Sequence, residues 1–220
     1  MYSNSTMKQR ILLTGKDGID LLQRITTLDF KRISVGQQQP GLILNPKGKI
    51  LCYFEVQITS SPDQVEISFN DSFLELLDQF TFGERYKIEK IAPIEFIETT
   101  DSEISRIKSK TPKLGWEFLN NGESNPLEIN LMSAIHDQKG CYPGQEVIEK
   151  IIAIGAPAKN LCLVKCIDHS PSDLVLPLDL DFGTLTSYQS PYGLAIVRKT
   201  HSAPGTILHS INYSFQVTES

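Results

Sequence analysis

Apolar residues in the N-terminal half follow two spacings. After the strand-like Ile11-Leu12-Leu13 and the punctuating Gly15-Lys16-Asp17-Gly18, Ile19, Leu21, Leu22 and Ile25 recur as on a short amphipathic helix. Gly41 to Leu44 and Ile50 to Ile58 read as two strands joined by Asn45-Pro46-Lys47-Gly48, with Pro and Gly where a turn wants them. Val65 to Phe69 predicts a further strand, bounded by Pro62-Asp63. From Ser72 to Phe82, Phe73, Leu76, Leu77 and Phe80 return to helical intervals. Tyr86 to Ile97 alternates like a strand interrupted by Pro93. The polar stretch Thr99 to Thr111 reads either as a helix through Ile104 and Ile107 or as a connection.

Gln145 to Ile152 has few breakers and predicts a helix, and Gly155-Ala156-Pro157 ends it. Several short strands follow, at Leu161 to Cys166, Leu174 to Leu176, Gly183 to Ser187, Leu194 to Arg198 and Ile211 to Val217. Short strands with turn residues between them suggest a small C-terminal β-barrel. Helices and strands before residue 155 mix without regular βαβ alternation, so the expected class is α+β. Domains are expected at 1–155 and 156–220.

Composition narrows the class. The chain has 220 residues, 40% hydrophobic and 21% charged, which are ordinary globular values with apolar residues enough for a core. A net charge of −5 argues against broad nucleic-acid binding, which needs a basic face. No stretch approaches a membrane span, and the segment around Ile11 is too short for a signal-peptide core. Four cysteines, at 52, 141, 162 and 166, lack the dense spacing of a secreted disulfide scaffold. A cytoplasmic protein is the expectation, without membrane partners.

The candidate chemistry concentrates in Lys139-Gly140-Cys141-Tyr142-Pro143-Gly144-Gln145-Glu146. Pro143 fits the first turn of the predicted helix, where a missing N–H costs nothing. Cys141 would then precede a helix N-terminus, with Lys139 adding positive charge, and both favour a thiolate. The competing reading is a buried apolar cysteine packed beside the turn.

The octapeptide resembles K-G-C-Y-x-G-Q-E, the signature of the YgfZ-like proteins, folate-binding relatives of the glycine-cleavage T protein, an aminomethyltransferase. Pro126-Leu127-Glu128-Ile129-Asn130-Leu131 resembles the P-x-E-x-N-L segment before that signature. Leu22-Gln23, Thr27 and Asp29 resemble the family's L-Q-G-x-x-T-N-D block, with Arg24 and Leu28 as departures. Leu44 to Leu51 resembles its L-x-P-x-G-K-x-L turn, and Gly183 to Ser187 with Gly193-Leu194-Ala195 resembles its G-x-V-T-S and G-x-A elements.

The resemblance implies a multi-lobed T-protein-like folate-binding fold with a small C-terminal barrel. The second lobe, roughly 60–110, would be reduced, with the shortfall between Pro93 and Pro112. It implies tetrahydrofolate or a related folate as ligand. A folate site needs a carboxylate or amide for the pterin edge, apolar walls, and a cation for the glutamyl tail. Glu128, Asn130, Tyr142, Gln145, Glu146 and Lys150 are the candidates. Glu146 and Lys150 are four apart and share a helix face, as an exposed ion pair also would. The family usually carries Arg where Lys150 stands, and Lys lacks the planar fork for bidentate carboxylate binding.

T proteins carry an acidic pair after the glycine turn, one member of which serves catalysis. Aligning on Gly48 places Cys52 and Tyr53 there, which disfavours aminomethyl transfer. Glu55 and Tyr53 share a strand face opposite Cys52. Cys162 and Cys166 sit about 13 Å apart along a strand, from ~3.3 Å per residue, too far to chelate one ion. His136, His169, His201 and His209 have no zinc spacing, and His136 is notable only for lying three residues before Lys139. No metal site is expected beyond Cys141 as one ligand to a transient iron–sulfur cluster. The leading expectation is a folate-binding accessory protein for iron–sulfur cluster assembly or repair in client enzymes, with Cys141 as functional thiol. The alternatives are a folate-dependent one-carbon transferase and a thiol or interaction module that has lost folate.

Overall fold

In the computed structural model the described residues are 5–61, 63–70, 72–97, 99–155, 157–168, 171 and 174–219. The chain divides into two compact units. The first comprises residues 1–97, 120–123 and 132–149, and the second 98–119, 124–131 and 150–220. The turn residues expected at Pro62 and Ala156, and His169, lie outside the described residues.

The first unit is an antiparallel sheet with two helices packed on one face. β1 (Ser5–Thr14) leads into helix α1 (Lys16–Ile25), and β2 (Gln38–Leu44) forms a hairpin with β3 (Ile50–Ile58). β4 (Gln64–Phe69), helix α2 (Phe73–Phe80) and β5 (Lys87–Ile97) follow, and the strands line up β2-β3-β4-β1-β5. Alternation along β3 turns Ile50, Cys52, Phe54 and Val56 inward. Cys52, Phe54 and Val56 meet Leu13, Leu22, Ile67 and Phe73 in one core. Phe73 stacks 5.1 Å from Phe69 and lies 5.1 Å from Phe54. Pro93 does not end β5. That strand lies at the sheet edge, and its pairing with β1 shifts register between Lys8 and Arg10, beside the proline. An edge strand tolerates a missing donor there.

The second unit begins with helix α3 (Thr100–Lys108), so the ambiguous polar stretch is helical. Thr99 and Ser102 form a reciprocal capping box, and Ile107 is fully buried. Helix α4 (Gln145–Ile154) runs from the first unit's last residues into the second. β6 (Lys159–Cys166), β7 (Leu178–Leu180), β8 (Gly183–Gln189), β9 (Tyr192–Arg198), β10 (Ile207–His209) and β11 (Ser214–Val217) form a sheet ordered β10-β11-β6-β9-β8-β7. Its edges meet where Asp181 N–H donates to the His209 carbonyl at 2.9 Å, so the barrel is nearly closed. Leu174 to Leu176 precedes β7 as partly buried packing rather than as a strand, and Ile211 is fully exposed in the β10–β11 turn. Cys162 and Cys166 pack in the barrel's apolar cluster with Val164, Leu185 and Phe215.

A buried carboxylate fastens α3 to the barrel. Glu117 accepts from the Thr186 and Ser187 hydroxyls, from the Lys113 N–H at 2.9 Å and from Arg106 Nη1 at 2.9 Å. Arg106 also binds Glu103 and the Ser187 hydroxyl. Thr186 and Ser187 are the Thr-Ser pair of the G-x-V-T-S-like segment, and their hydroxyls satisfy a charge that burial would otherwise penalise. Among the described residues no helix is long and apolar enough to cross a membrane.

Candidate functional site

The signature octapeptide lies in the first unit, held by two independent sets of contacts. One is the hairpin turn between β2 and β3. Asn45 Oδ1 accepts from the Lys47 and Lys49 N–H groups, and the Asn45 carbonyl accepts from Gly48. Gly144 packs on this turn. A Cβ added there would lie 2.5 Å from the Asn45 oxygen, and Gly144 has φ +80°. Only glycine meets both demands.

That contact alters the predicted start of the helix. Gln145 N–H donates to the Tyr142 carbonyl, so Tyr142-Pro143-Gly144-Gln145 is a turn with Pro at its second position and a positive-φ glycine at its third. The Gly144 carbonyl then accepts from Val147 and Ile148. Pro143 therefore sits in the turn ahead of α4 and not in its first helical turn, and Cys141 precedes the first helical residue by four positions.

The second set of contacts ties the octapeptide to the end of α1. Lys139 is 4% exposed, and its ammonium donates to the carbonyls of Gln23 and Thr26. These are carbonyls at the C-terminal end of α1, which favours a cation. The same ammonium lies 5.0 Å from the Tyr142 ring centroid. Burial pushes the Lys139 amine down to about 8, against the opposing pull of Asp29 and Cys141. Burial pushes the Tyr142 phenol up to about 12, helped by Glu149.

Neighbouring residues extend the seam. His136 N–H donates to the Thr27 carbonyl, and the Asp29 N–H donates to His136 Nδ1 at 2.9 Å. His136 Nδ1 is thus an acceptor, which places the proton of the neutral ring on Nε2. Burial, joined by Arg32, lowers the His136 pKa against Asp29 and Asp137. Thr27 Oγ1 donates to the Ala134 carbonyl at 2.6 Å, and Gln23 holds Asp29 Oδ1 at 3.2 Å. The block containing Gln23, Thr27 and Asp29 and the segment Ala134 to Lys139 are therefore bonding partners. Sequence reading gave Gln23, Asp29 and His136 no site role. The sole signal was the presence of the first two in a motif-like block and of the third near Lys139.

Cys141 is exposed, whereas Cys52, Cys162 and Cys166 are buried. Of the predicted binding residues, Tyr142, Gln145 and Glu146 lie with Cys141 and Lys139 in the first unit. Tyr142 is half-buried, Gln145 Nε2 donates to Glu149 Oε1 at 2.6 Å, and Glu146 is exposed. Glu128, Asn130 and Lys150 belong to the second unit. Glu128 is half-buried, Asn130 is exposed and donates to the Lys110 carbonyl at 3.0 Å, and Lys150 is exposed. Among the described residues no group of three or more His, Cys, Asp or Glu is placed to hold a metal ion.

At the positions aligned with the T-protein acidic pair, Cys52 is fully buried in the core. Tyr53 faces the other way, and its hydroxyl donates to Glu55 Oε1 at 3.2 Å. Glu55 Oε2 also receives Gln38 Nε2 at 2.9 Å and lies 2.9 Å from Lys8 Nζ. Burial, then Glu55, pushes the Tyr53 phenol above its ordinary range.

One comparison with solved structures bears on this architecture. The chain superposes on the crystal structure of glycine cleavage system aminomethyltransferase T from Bartonella henselae with a TM-score of 0.79. The fold is similar to that of an aminomethyltransferase. Alignment covers 99% of this chain and 86% of the other, at 11% identity, so the likeness is one of fold. No family model and no curated protein matches the sequence. The expected T-protein-like α+β fold with a nearly closed terminal barrel is thus present.

Proposed function

We propose that this chain is a folate-binding accessory protein of the YgfZ type, acting in the cytoplasm to support iron–sulfur cluster assembly or repair in client enzymes. Cys141 is its functional thiol. The observation that carries the reading is the exposed Cys141 in a K-G-C-Y-x-G-Q-E segment, braced by Gly144 and Lys139, in a chain with a T-protein-like fold. The cluster is substrate or cargo, delivered or repaired with Cys141 as one transient ligand, since a single thiolate cannot hold a cluster alone.

Each unit, taken by itself, carries donors of the types that folate chemistry uses. Glu146 and Glu128 are carboxylates of the kind a pterin N–H edge needs, and the Lys150 ammonium suits a glutamyl tail. Among the described residues none of these three side chains is committed to an ion pair. Tyr142 supplies an aromatic wall. Gln145 is held by Glu149 and Asn130 by Lys110, so these two act through position more than through an uncommitted amide. The reduced second lobe, 60–110, belongs to the same reading, with domains at 1–155 and 156–220.

Calorimetric titration with tetrahydrofolate tests the ligand, and saturable heat is expected. Cys141→Ala tests the thiol: client cluster enzymes should lose activity while the mutant keeps the wild-type unfolding midpoint. Normal client activity in that mutant sinks the role given to Cys141. An absence of folate heat would favour instead a thiol or interaction module that has lost the ligand.

A transferase reading draws on the fold likeness to an aminomethyltransferase. Cys52 in the core and Tyr53 bonded to Glu55 leave no carboxylate at the aligned positions, and Glu55 is already engaged by Tyr53, Gln38 and Lys8. Turnover of a methylamine-type donor with tetrahydrofolate would revive it.

A further inference from the structure

Two residues beyond the end of helix α3, Lys110 stands where glycine would fit with less strain. Lys110 N–H donates to the Ile107 carbonyl and Thr111 N–H to the Arg106 carbonyl, the paired bonds of a Schellman motif. The residue after the cap in such a motif is left-handed, and Lys110 has φ +51°. Glycine takes that conformation without a Cβ penalty, so lysine at this position carries backbone strain that glycine would not. The Lys110 carbonyl is fixed in turn by Asn130 Nδ2 at 3.0 Å, from another left-handed residue at φ +62°.

Lys110 and Asn130 both line a cavity of about 550 Å³ that lies wholly in the second unit. Asn160, Cys162, Ser202 and Glu219 line it as well. This volume falls within the range of small-molecule sites. Lys110 and Glu219 bring opposite charges to its wall, and neither has an ion-pair partner among the described residues. Cys162 adds no charge, because burial pushes its thiol up to about 11. Asn160 is oriented by its bond to Ser202 Oγ at 2.8 Å.

A cavity whose described lining residues include one cation and one anion that do not pair with each other is complementary to a ligand carrying both signs. We infer that this cavity binds a small zwitterion of the α-amino-acid class, its carboxylate directed to Lys110 and its ammonium to Glu219. This site does not rest on the folate reading and shares only Asn130 with it.

The 220-residue chain is titrated by ligand-observed NMR with a panel of α-amino acids, and with acetate and methylammonium as single-charge probes. Saturable binding of at least one amino acid is expected at or below the order of 10 mM, with both single-charge probes at least about tenfold weaker. Lys110→Gly relieves the left-handed strain, so its thermal midpoint should equal or exceed wild type while amino-acid binding falls at least about tenfold. Glu219→Gln should weaken binding similarly with an unchanged midpoint. No saturable binding overturns the inference, as does acetate binding as tightly as the best amino acid. Undiminished binding in Lys110→Gly would overturn it too.

Discussion

Burying the Lys139 ammonium against two carbonyls and the Tyr142 ring couples its protonation to the stability of the first unit. An unburied lysine titrates near 10.5 and Lys139 near 8, so between those pH values the unfolded chain holds the extra proton. Stability contributed by this group therefore rises with pH across that window and is level below it. Urea unfolding of wild type and Lys139→Met at pH 7, 9 and 10.5 checks this: the wild-type advantage should grow with pH. At pH 7 the substitution removes two charge-assisted hydrogen bonds and leaves two carbonyls to be satisfied, a loss of about 1–3 kcal/mol. An advantage that shrinks above pH 8 would contradict the buried-ammonium account.

At the scale of elements, two tight fits decide where the chain turns. Gly144 meets the Asn45–Gly48 turn with no room for a Cβ and at a φ unfavourable to other residues. Gly144→Ala is expected to destabilise by at least about 1–3 kcal/mol, measured by denaturant midpoint at constant m-value. The other fit joins α3 to the barrel through Glu117. Its side chain is fully buried, and Arg106 is the cation that neutralises it. Arg106→Met leaves that carboxylate without its charge partner and should cost about 3–5 kcal/mol. A loss below 1 kcal/mol would mean that the hydroxyls of Thr186 and Ser187 suffice. The helical spacing of Ile104 and Ile107 made α3 readable as an option. Its partner could not be read, because the bond from Arg106 to Ser187 spans 81 residues.

Across the whole molecule, the four cysteines divide into one exposed thiol and three buried ones. A thiol-specific chromogenic reagent should titrate Cys141 quickly in the native protein and Cys52, Cys162 and Cys166 at least about tenfold more slowly, since those require opening of a packed core. Cys141→Ala should abolish the fast phase and nothing else. A second fast thiol would argue that one of the two cores opens readily.

Apolar spacing together with glycine and proline punctuation marked out the hairpin at Asn45, helices over 19–25, 72–82 and 145–152, the α+β class and the terminal barrel, and the helices run over 16–25, 73–80 and 145–154, because local spacing and breakers are what set these elements. The octapeptide was visible as a motif for the same reason: glycine and proline punctuate the backbone wherever they occur. Only the tertiary structure decided what Lys139 does, since its two acceptors are backbone carbonyls more than a hundred residues away and leave no trace in side-chain identity. It also grouped 98–119 and 124–131 with the barrel strands, and moved Pro143 out of the helix once Gly144 had to fit against Asn45. Long-range contacts of this kind depend on where packing brings two segments, which no window of sequence contains.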